Sequence, residues 1–407
     1  MLKHSMSSAR RGLFLLTFCT IYLLLAPIAY DAASRWLLTT ERNTKSDCWP
    51  DIYSTSLFSN HRHFLNGWFW AAVLFPLAER FEKILWRSFF ADGDDELYGL
   101  HHAILNVEVP PKSMWMNMGY WEHAKTFPEA CTSLLQKVLQ TAGLLDEDGK
   151  PRIFQGSASI KLVDVGFGCG DQTLYLTRQL SRVDDRDRQR PLFDNYVGIT
   201  INRHQAEFAR QRLSENTAET ETWTPNVRIF CADAANPTSW SSELRDVVSR
   251  PVSENESSKE STWLLALDTL YHFKPSRQPL FNYAYEHLHA SIMAFDLILS
   301  DSASMIDRIL LRLVCLLAST PFSNFKTHSE YRQMLITAGY SSDSIEMQDI
   351  SEYVFSGIAG YIERREAELK RFGMGLGKLR QAGKVFGWWG RSGVVSGVVV
   401  VARSPSS

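Results

Sequence analysis

Charge imbalance is missing from this sequence: its 407 residues carry 43 Lys and Arg against 45 Asp and Glu, a net charge of -2. With no basic excess to neutralise phosphates, nucleic acid is not expected as a partner. Paired cysteines are also missing. Cys19, Cys48, Cys131, Cys169, Cys231 and Cys315 are scattered without a C-x-x-C spacing, which argues against a zinc site and a disulfide framework and leaves reduced thiols. No metal is expected, no specific protein partner is indicated, and no internal repeat is visible. What remains is ordinary globular composition, 45% hydrophobic and 22% charged, enough for one large domain with an appendage.

The appendage is N-terminal. Gly12 to Tyr30, "GLFLLTFCTIYLLLAPIAY", holds no charge and approaches the roughly 20 apolar residues that a membrane-spanning helix needs. Phe64 to Ala78, "FLNGWFWAAVLFPLA", is a second, shorter uncharged run, interrupted by Asn66 and Pro76. It reads as a second span, an interfacial helix or the start of a buried helix. If both cross, Lys3, Arg10 and Arg11 lie on the same side as Arg80, Lys83 and Arg87, a hairpin with cytosolic ends. A cleaved signal peptide ending at "APIA" is the competing reading. Residues 1–90 are therefore expected to be a membrane anchor with one or two hydrophobic helices. The endoplasmic reticulum, with the rest of the chain in the cytosol, is the expected location, and a mitochondrial membrane the alternative.

Residues 91–155 read as a linker and helical cap, and residues 156–407 as the core. There, short apolar runs alternate with helical patterns, the signature of a doubly wound, Rossmann-like α/β fold with a mostly parallel seven-stranded sheet. The expected strands are Ile160 to Val165, Tyr196 to Ile199, Val227 to Cys231, Trp263 to Leu267, Ile292 to Leu299, Ile345 to Ile350 and Val394 to Ala402. The polar runs "SRVDDRDRQRP" and "SRPVSENESSKES" read as solvent-facing loop insertions. "LLRLVCLLASTP", Leu310 to Pro321, is apolar enough to pack against the sheet or to cover a pocket.

After the first strand, "LVDVGFGCGDQTLYL" turns through Gly166, Gly168 and Gly170 into a helix. Glycine tolerates positive φ and has no side chain to block a ligand, so such a turn brings bare backbone against one. The dinucleotide fingerprint G-x-G-x-x-G would put its third glycine at position 171, where this chain has Asp171. Asp164 and Asp171 would also repel a pyrophosphate and attract a cationic ligand.

At these residues the sequence resembles the class I S-adenosylmethionine-dependent methyltransferases, in the sterol, tocopherol and cyclopropane-fatty-acid branch. The resemblance runs from about Met114 to Arg403 and rests on several ordered motifs: "MNMGYW" (Met116 to Trp121), "VDVGFGCG" (Val163 to Gly170), "YVGITINRHQAEFA", "CADAANP" and "ALDTLYHF". It implies S-adenosyl-L-methionine as cofactor, held by Asn117, Gly119, Tyr120, Trp121, Asp164, Gly166, Gly168, Gly170, Thr200, Asn202, Gln205, Asp233, Ala234 and Asp268. Asp233 would face the adenine amino group, and Thr200 stands where many such enzymes carry an acid for the ribose. "MNMGYW" would close over the cofactor, with Tyr120 lining the methyl-transfer path. Tyr271 and His272 are the candidates to take a proton. The expected acceptor is a small lipophilic molecule. Cyclopropanation of a lipid alkene, or a catalytically silent membrane-anchored binding protein, are the alternatives.

Overall fold

The computed structural model describes residues 108, 111–152, 159–183, 189–215, 226–251, 260–318 and 320–405. Both N-terminal apolar runs and most of the polar run after Ser249 lie outside the described residues. Among the described residues, no helix is long and apolar enough to cross a membrane.

The described chain opens with a strap, residues 111–126, that leads into helix α1, Phe127–Thr141. Thr126 and Glu129 form a capping box at its start, with Pro128 in the first turn. Leu134, Leu135, Val138 and Leu139 face inward with no exposed surface, each burial stabilising the fold by about 1.5–3 kcal/mol.

All seven expected strands are present, within one to three residues of their expected ends. They are Ser159–Val165 (β1), Asn195–Thr200 (β4), Asn226–Cys231 (β5), Glu260–Leu267 (β6), Ser291–Leu299 (β7), Ile345–Asp349 (β8) and Val395–Ala402 (β9). They form one sheet in the order β5-β4-β1-β6-β7-β9-β8. β1, β4, β5, β6 and β7 run parallel, and β9 pairs antiparallel with both β7 and β8. This is the Rossmann-like architecture that the alternating pattern predicts. β1 and β7 are buried along their whole length, as central parallel strands are, and β1 takes Lys161 and Asp164 into the interior with it.

Two findings correct the sequence reading. The charged run Ser181 to Pro191 is not simply a solvated loop: it contains an antiparallel ribbon of Ser181–Val183 (β2) and Gln189–Pro191 (β3). Arg182 and Arg190 both bond to Asp194 at 2.8 Å, and Asp194 also accepts the Ile160 amide. The charges thus fold back onto the start of β1.

The second correction concerns "LLRLVCLLASTP". Its helix, Met305–Leu317, buries only Leu311 and Cys315. The remaining long apolar residues point outward instead of packing on the sheet.

The two faces of the sheet carry separate cores. One joins α1 to Leu162, Tyr271, Leu311, Phe325, Phe355 and Trp389. The other gathers Leu244, Leu280, Phe281, Tyr331 and Leu335 against Val163, Leu264 and Val398. A buried ion pair ties the second face to the sheet. Arg277, without exposed surface, contacts the Asp296 carboxylate, donates to the Asn324 carbonyl at 2.6 Å and lies 4.9 Å from the Tyr331 ring. The Tyr331 hydroxyl donates to Asp296 at 3.0 Å. Replacing Arg277 with Met should therefore destabilise the domain by about 3–5 kcal/mol, because a buried carboxylate loses its counter-charge. Urea unfolding of the variant checks this, and a loss under about 1 kcal/mol would contradict it.

Candidate functional site

The strand order reverses between β1 and β6, where chain connections leave the sheet in opposite directions. Open α/β sheets bind ligands in the crevice at such a point, at the carboxyl ends of the strands. The glycine turn stands on one side of it and the segment after β6 on the other. Gly166, Gly168 and Gly170 all have positive φ, at 77°, 69° and 95°.

Their surroundings differ. A Cβ on Gly166 would sit 2.5 Å from the Thr269 hydroxyl, and one on Gly170 would sit 3.0 Å from the Ala209 Cβ. Both glycines are needed for close packing of the turn. The three atoms nearest a Cβ on Gly168 would all belong to the Met116 side chain, at 3.5 Å or more. Gly168 is thus the point where bare backbone faces a flexible cover.

Beneath the turn Asp164 is fully buried and receives Gln172 Nε2 on both oxygens at 2.8 Å and the Tyr196 hydroxyl at 2.6 Å. Burial pushes its pKa up to about 7, against the two hydrogen-bond contacts. This carboxyl holds the turn in shape from below. Asp171 opens the helical segment Asp171–Leu174, which continues as a π-helical turn, Tyr175–Gln179. Its carboxylate is clamped by Arg212 through contacts of 2.5 and 3.1 Å and accepts the Met114 amide at 3.0 Å. The charge that the sequence seemed to offer a cationic ligand is therefore matched within the fold.

The Met116 to Trp121 segment is bonded in place at many points. Asn117 is buried, donates to the Cys131 carbonyl and accepts the Gly119 amide. The Met118 amide donates to Asp268 Oδ2 at 2.8 Å, and the Tyr120 and Trp121 amides donate to the Ala130 and Tyr353 carbonyls. Gly119 has φ 76°, and a Cβ there would press on Ala130 at 2.7 Å. Trp121 packs on Tyr361, at 5.1 Å between ring centres, and against Gly357, so its ring pins the strap to the helix Phe355–Lys370. The Tyr120 ring stacks near Tyr353 at 5.1 Å, and its hydroxyl donates to Glu122. Met116 itself is exposed. Its sulfur lies 3.5 Å from Gln205 Nε2 and 3.8 Å from Cys169 Sγ.

At the end of β4, Thr200 is buried and its hydroxyl donates to Gln205 Oε1 at 3.0 Å. Asn202 accepts the His204 and Gln205 amides, capping the helix Arg203–Glu215. Beyond β5, Asp233 Oδ1 accepts the Ala235 amide and the Asp233 carbonyl accepts Trp240 Nε1, while Ala234 is buried. Thr200, Gln205 and the glycine turn meet through Met116, whereas Asn202 serves the helix.

Asp268 follows β6 in the left-handed region, φ 59°, rare for a residue other than glycine. Its Oδ2 holds Met118, and its Oδ1 is a buried atom with no hydrogen-bond partner. Burial raises its pKa to about 7, against contacts from Met118 and Tyr271. Burial and Asp268 together raise the Tyr271 hydroxyl well above its usual value. The His272 ring lies 4.1 Å from the Tyr271 ring, with desolvation first and the Lys274 charge second lowering its pKa.

No family model matches this chain, and no curated protein does. Solved structures resemble it at low identity. A cyclopropane synthase from Mycobacterium tuberculosis is 15% identical, with 71% of this chain and 90% of that one covered and a TM-score of 0.46. A mycolic acid cyclopropane synthase solved with S-adenosylhomocysteine is 13% identical over 71% and 90%, at 0.48. A geranyl diphosphate C-methyltransferase from Streptomyces coelicolor is 14% identical over 67% and 81%, at 0.40. At such values the likeness carries no weight for function, which has to come from this chain's own residues.

Arg212, Thr269, Gln172 and Tyr196 carry much of the geometry without being expected site residues, and Met116 was expected only as the first residue of "MNMGYW". Apart from Gln172, whose partner Asp164 is eight residues away, their contacts lie too far along the chain for any local signal. Asp268 gives the sharpest test. A carboxyl with a folded pKa of about 7 and an unfolded value of 3.8 binds more protons folded than unfolded between those limits, so it erodes stability as pH rises through them. Asp268→Asn retains an oxygen for Met118 and tolerates positive φ, but does not titrate. The variant should gain stability relative to the parent as pH rises from about 4 to about 7. Urea unfolding across that range reads the difference, and a pH-independent one would refute the assignment.

Proposed function

We propose that this chain is an S-adenosylmethionine-dependent methyltransferase acting on a small lipophilic acceptor. One observation carries the reading: the sheet's switch point is flanked on the β1 side by Gly168, whose nearest cover is the Met116 side chain, and on the β6 side by Asp268, whose Oδ1 is buried and unpartnered. The donor set fits this cofactor. Bare glycine backbone admits a bulky nucleoside, and a buried, unsatisfied carboxyl oxygen calls for a donor such as an ammonium or a hydroxyl. Thr200 and Gln205 offer neutral polar groups beside the turn, and Asp233 offers an acceptor for an amino group. When bound, S-adenosylmethionine supplies a sulfonium-activated methyl group.

The chain's own work is then to align and enclose. The bonded strap from Met116 to Trp121 excludes water from the crevice, and the Met116 side chain has to swing off Gly168 for any ligand to reach the backbone. Tyr271 keeps its proton at neutral pH because burial and the neighbouring Asp268 raise its pKa, so it does not act as a base. His272, with a lowered pKa, is neutral there and is the group suited to accept a proton if the acceptor must lose one. The lipophilic character of the acceptor follows from the two uncharged N-terminal runs, which we read as a membrane anchor in the endoplasmic reticulum with the catalytic domain in the cytosol.

Calorimetry with S-adenosylhomocysteine tests the reading. The parent chain should bind it. Gly168→Val should abolish binding while circular dichroism still shows a folded domain, and Asp233→Ala should weaken binding by about 1–3 kcal/mol. Undiminished affinity in the folded Gly168→Val variant would overturn the proposal.

A further inference from the structure

The helix Met305–Leu317 turns its apolar side outward. Met305, Ile306, Ile309, Leu310, Leu313, Leu316 and Leu317 are all exposed, the last two at 76% and 86%. At 100° per residue these seven positions fall within one continuous arc of the helix. Leu311 and Cys315 occupy the opposite arc and join the core cluster that contains Tyr271. A patch of this kind on a soluble surface marks a contact site.

We propose that this stripe is a phospholipid-docking surface, lying in the plane of a bilayer interface. Three observations select lipid as the occupant. The stripe is a convex ridge on a single helix, which suits insertion between deformable acyl chains and headgroups. Arg312, exposed and next to Met305 on the helix surface, borders it on one side and lies 4.8 Å from the Phe322 ring, placed to meet a lipid phosphate. Asp307, the acid on this helix, is engaged by Ser304.

The third observation is reach. The second uncharged run ends at Ala78, 30 residues before Glu108, and a chain of that length extends at most about 100 Å. A bilayer that holds this run is within reach of the domain. This third step rests on the membrane reading of the N-terminal runs and is independent of the cofactor.

The stripe is tied to the acceptor side of the crevice. Thr320 bonds back to the Cys315 carbonyl, and the following turn places Asn324, whose side chain donates to the Tyr271 and Phe273 carbonyls. Docking through this helix would set that edge of the crevice against the membrane, where a lipophilic acceptor resides.

The test uses the full chain in phosphatidylcholine vesicles, with Cys19, Cys48 and Cys231 replaced by serine and a fluorophore on Leu313→Cys. A control carries the label on Gln333→Cys, an exposed position on the helix His328–Ala338, which packs on the other face of the sheet. Nitroxides attached to the lipid chains should quench the Leu313 label, while an aqueous quencher reaches it poorly. The Gln333 label should show the reverse. A Leu313 label as open to the aqueous quencher as the control would overturn the proposal. Protection from both quenchers would also overturn it, by showing a protein occupant, either the chain's own N-terminal runs or a second copy. Calorimetry of cofactor binding on the same labelled protein is a separate readout, so failure of docking and failure of methyl transfer are distinguishable.

Discussion

The hydrogen bond from the Met118 amide to Asp268 Oδ2, 2.8 Å long and spanning 150 residues of sequence, is the contact on which the crevice depends. It joins the strap, which precedes the sheet, to the end of β6, on the far side of the switch point from the glycine turn. Asp268 makes it with its backbone held at φ 59°, a conformation that costs an ordinary residue of order 1 kcal/mol or more. The same carboxyl leaves Oδ1 buried and unpaired. Strain and an unsatisfied acceptor at one residue mark a site where folding has been compromised, and binding is the usual reason.

Electrostatics in the crevice differ from what the residue types suggest. Four carboxylates cluster near the carboxyl ends of β1, β5 and β6, yet they do not form a uniform negative field. Asp171 is neutralised by Arg212, and Asp164 is enclosed by Gln172 and Tyr196 with its pKa moved up to about 7. Coulomb repulsion from these two is therefore a weaker barrier to phosphate than their positions in the sequence imply. Asp233 and Asp268 each accept a backbone amide and so keep a fixed orientation.

Most of the fold was legible because the sheet is buried on both faces. Runs such as "SIMAFDLIL" are short, mostly apolar and rich in β-formers, and their regular alternation with helical patterns is what a central parallel sheet produces. The glycine turn was legible because positive φ needs glycine. Side-chain partners were not. Arg212 reaches Asp171 across 41 residues, and Trp121 finds its place against Gly357 only after the whole domain has folded. The helix Met305–Leu317 shows the limit most clearly. Its composition reads as core, but composition does not say whether the apolar side meets protein or something else.

The two sides of the crevice are held by different forces, and this bears on which side can adapt. The β6 side is framed by a buried network in which Arg277 contacts Asp296 and the Asn324 carbonyl, and the Asn324 amide grips the backbone at Tyr271 and Phe273. These groups are buried, so each lost bond leaves an unsatisfied polar atom and the frame resists displacement. The β1 side is covered by the strap residue Met116, which is exposed and lies over Gly168 with its side chain alone. Methionine has three rotatable bonds and a soft surface, so it yields at little cost. Conformational change on ligand binding should therefore concentrate at Met116 and its contacts to Gln205 and Cys169, with Tyr271 and its neighbours staying in register.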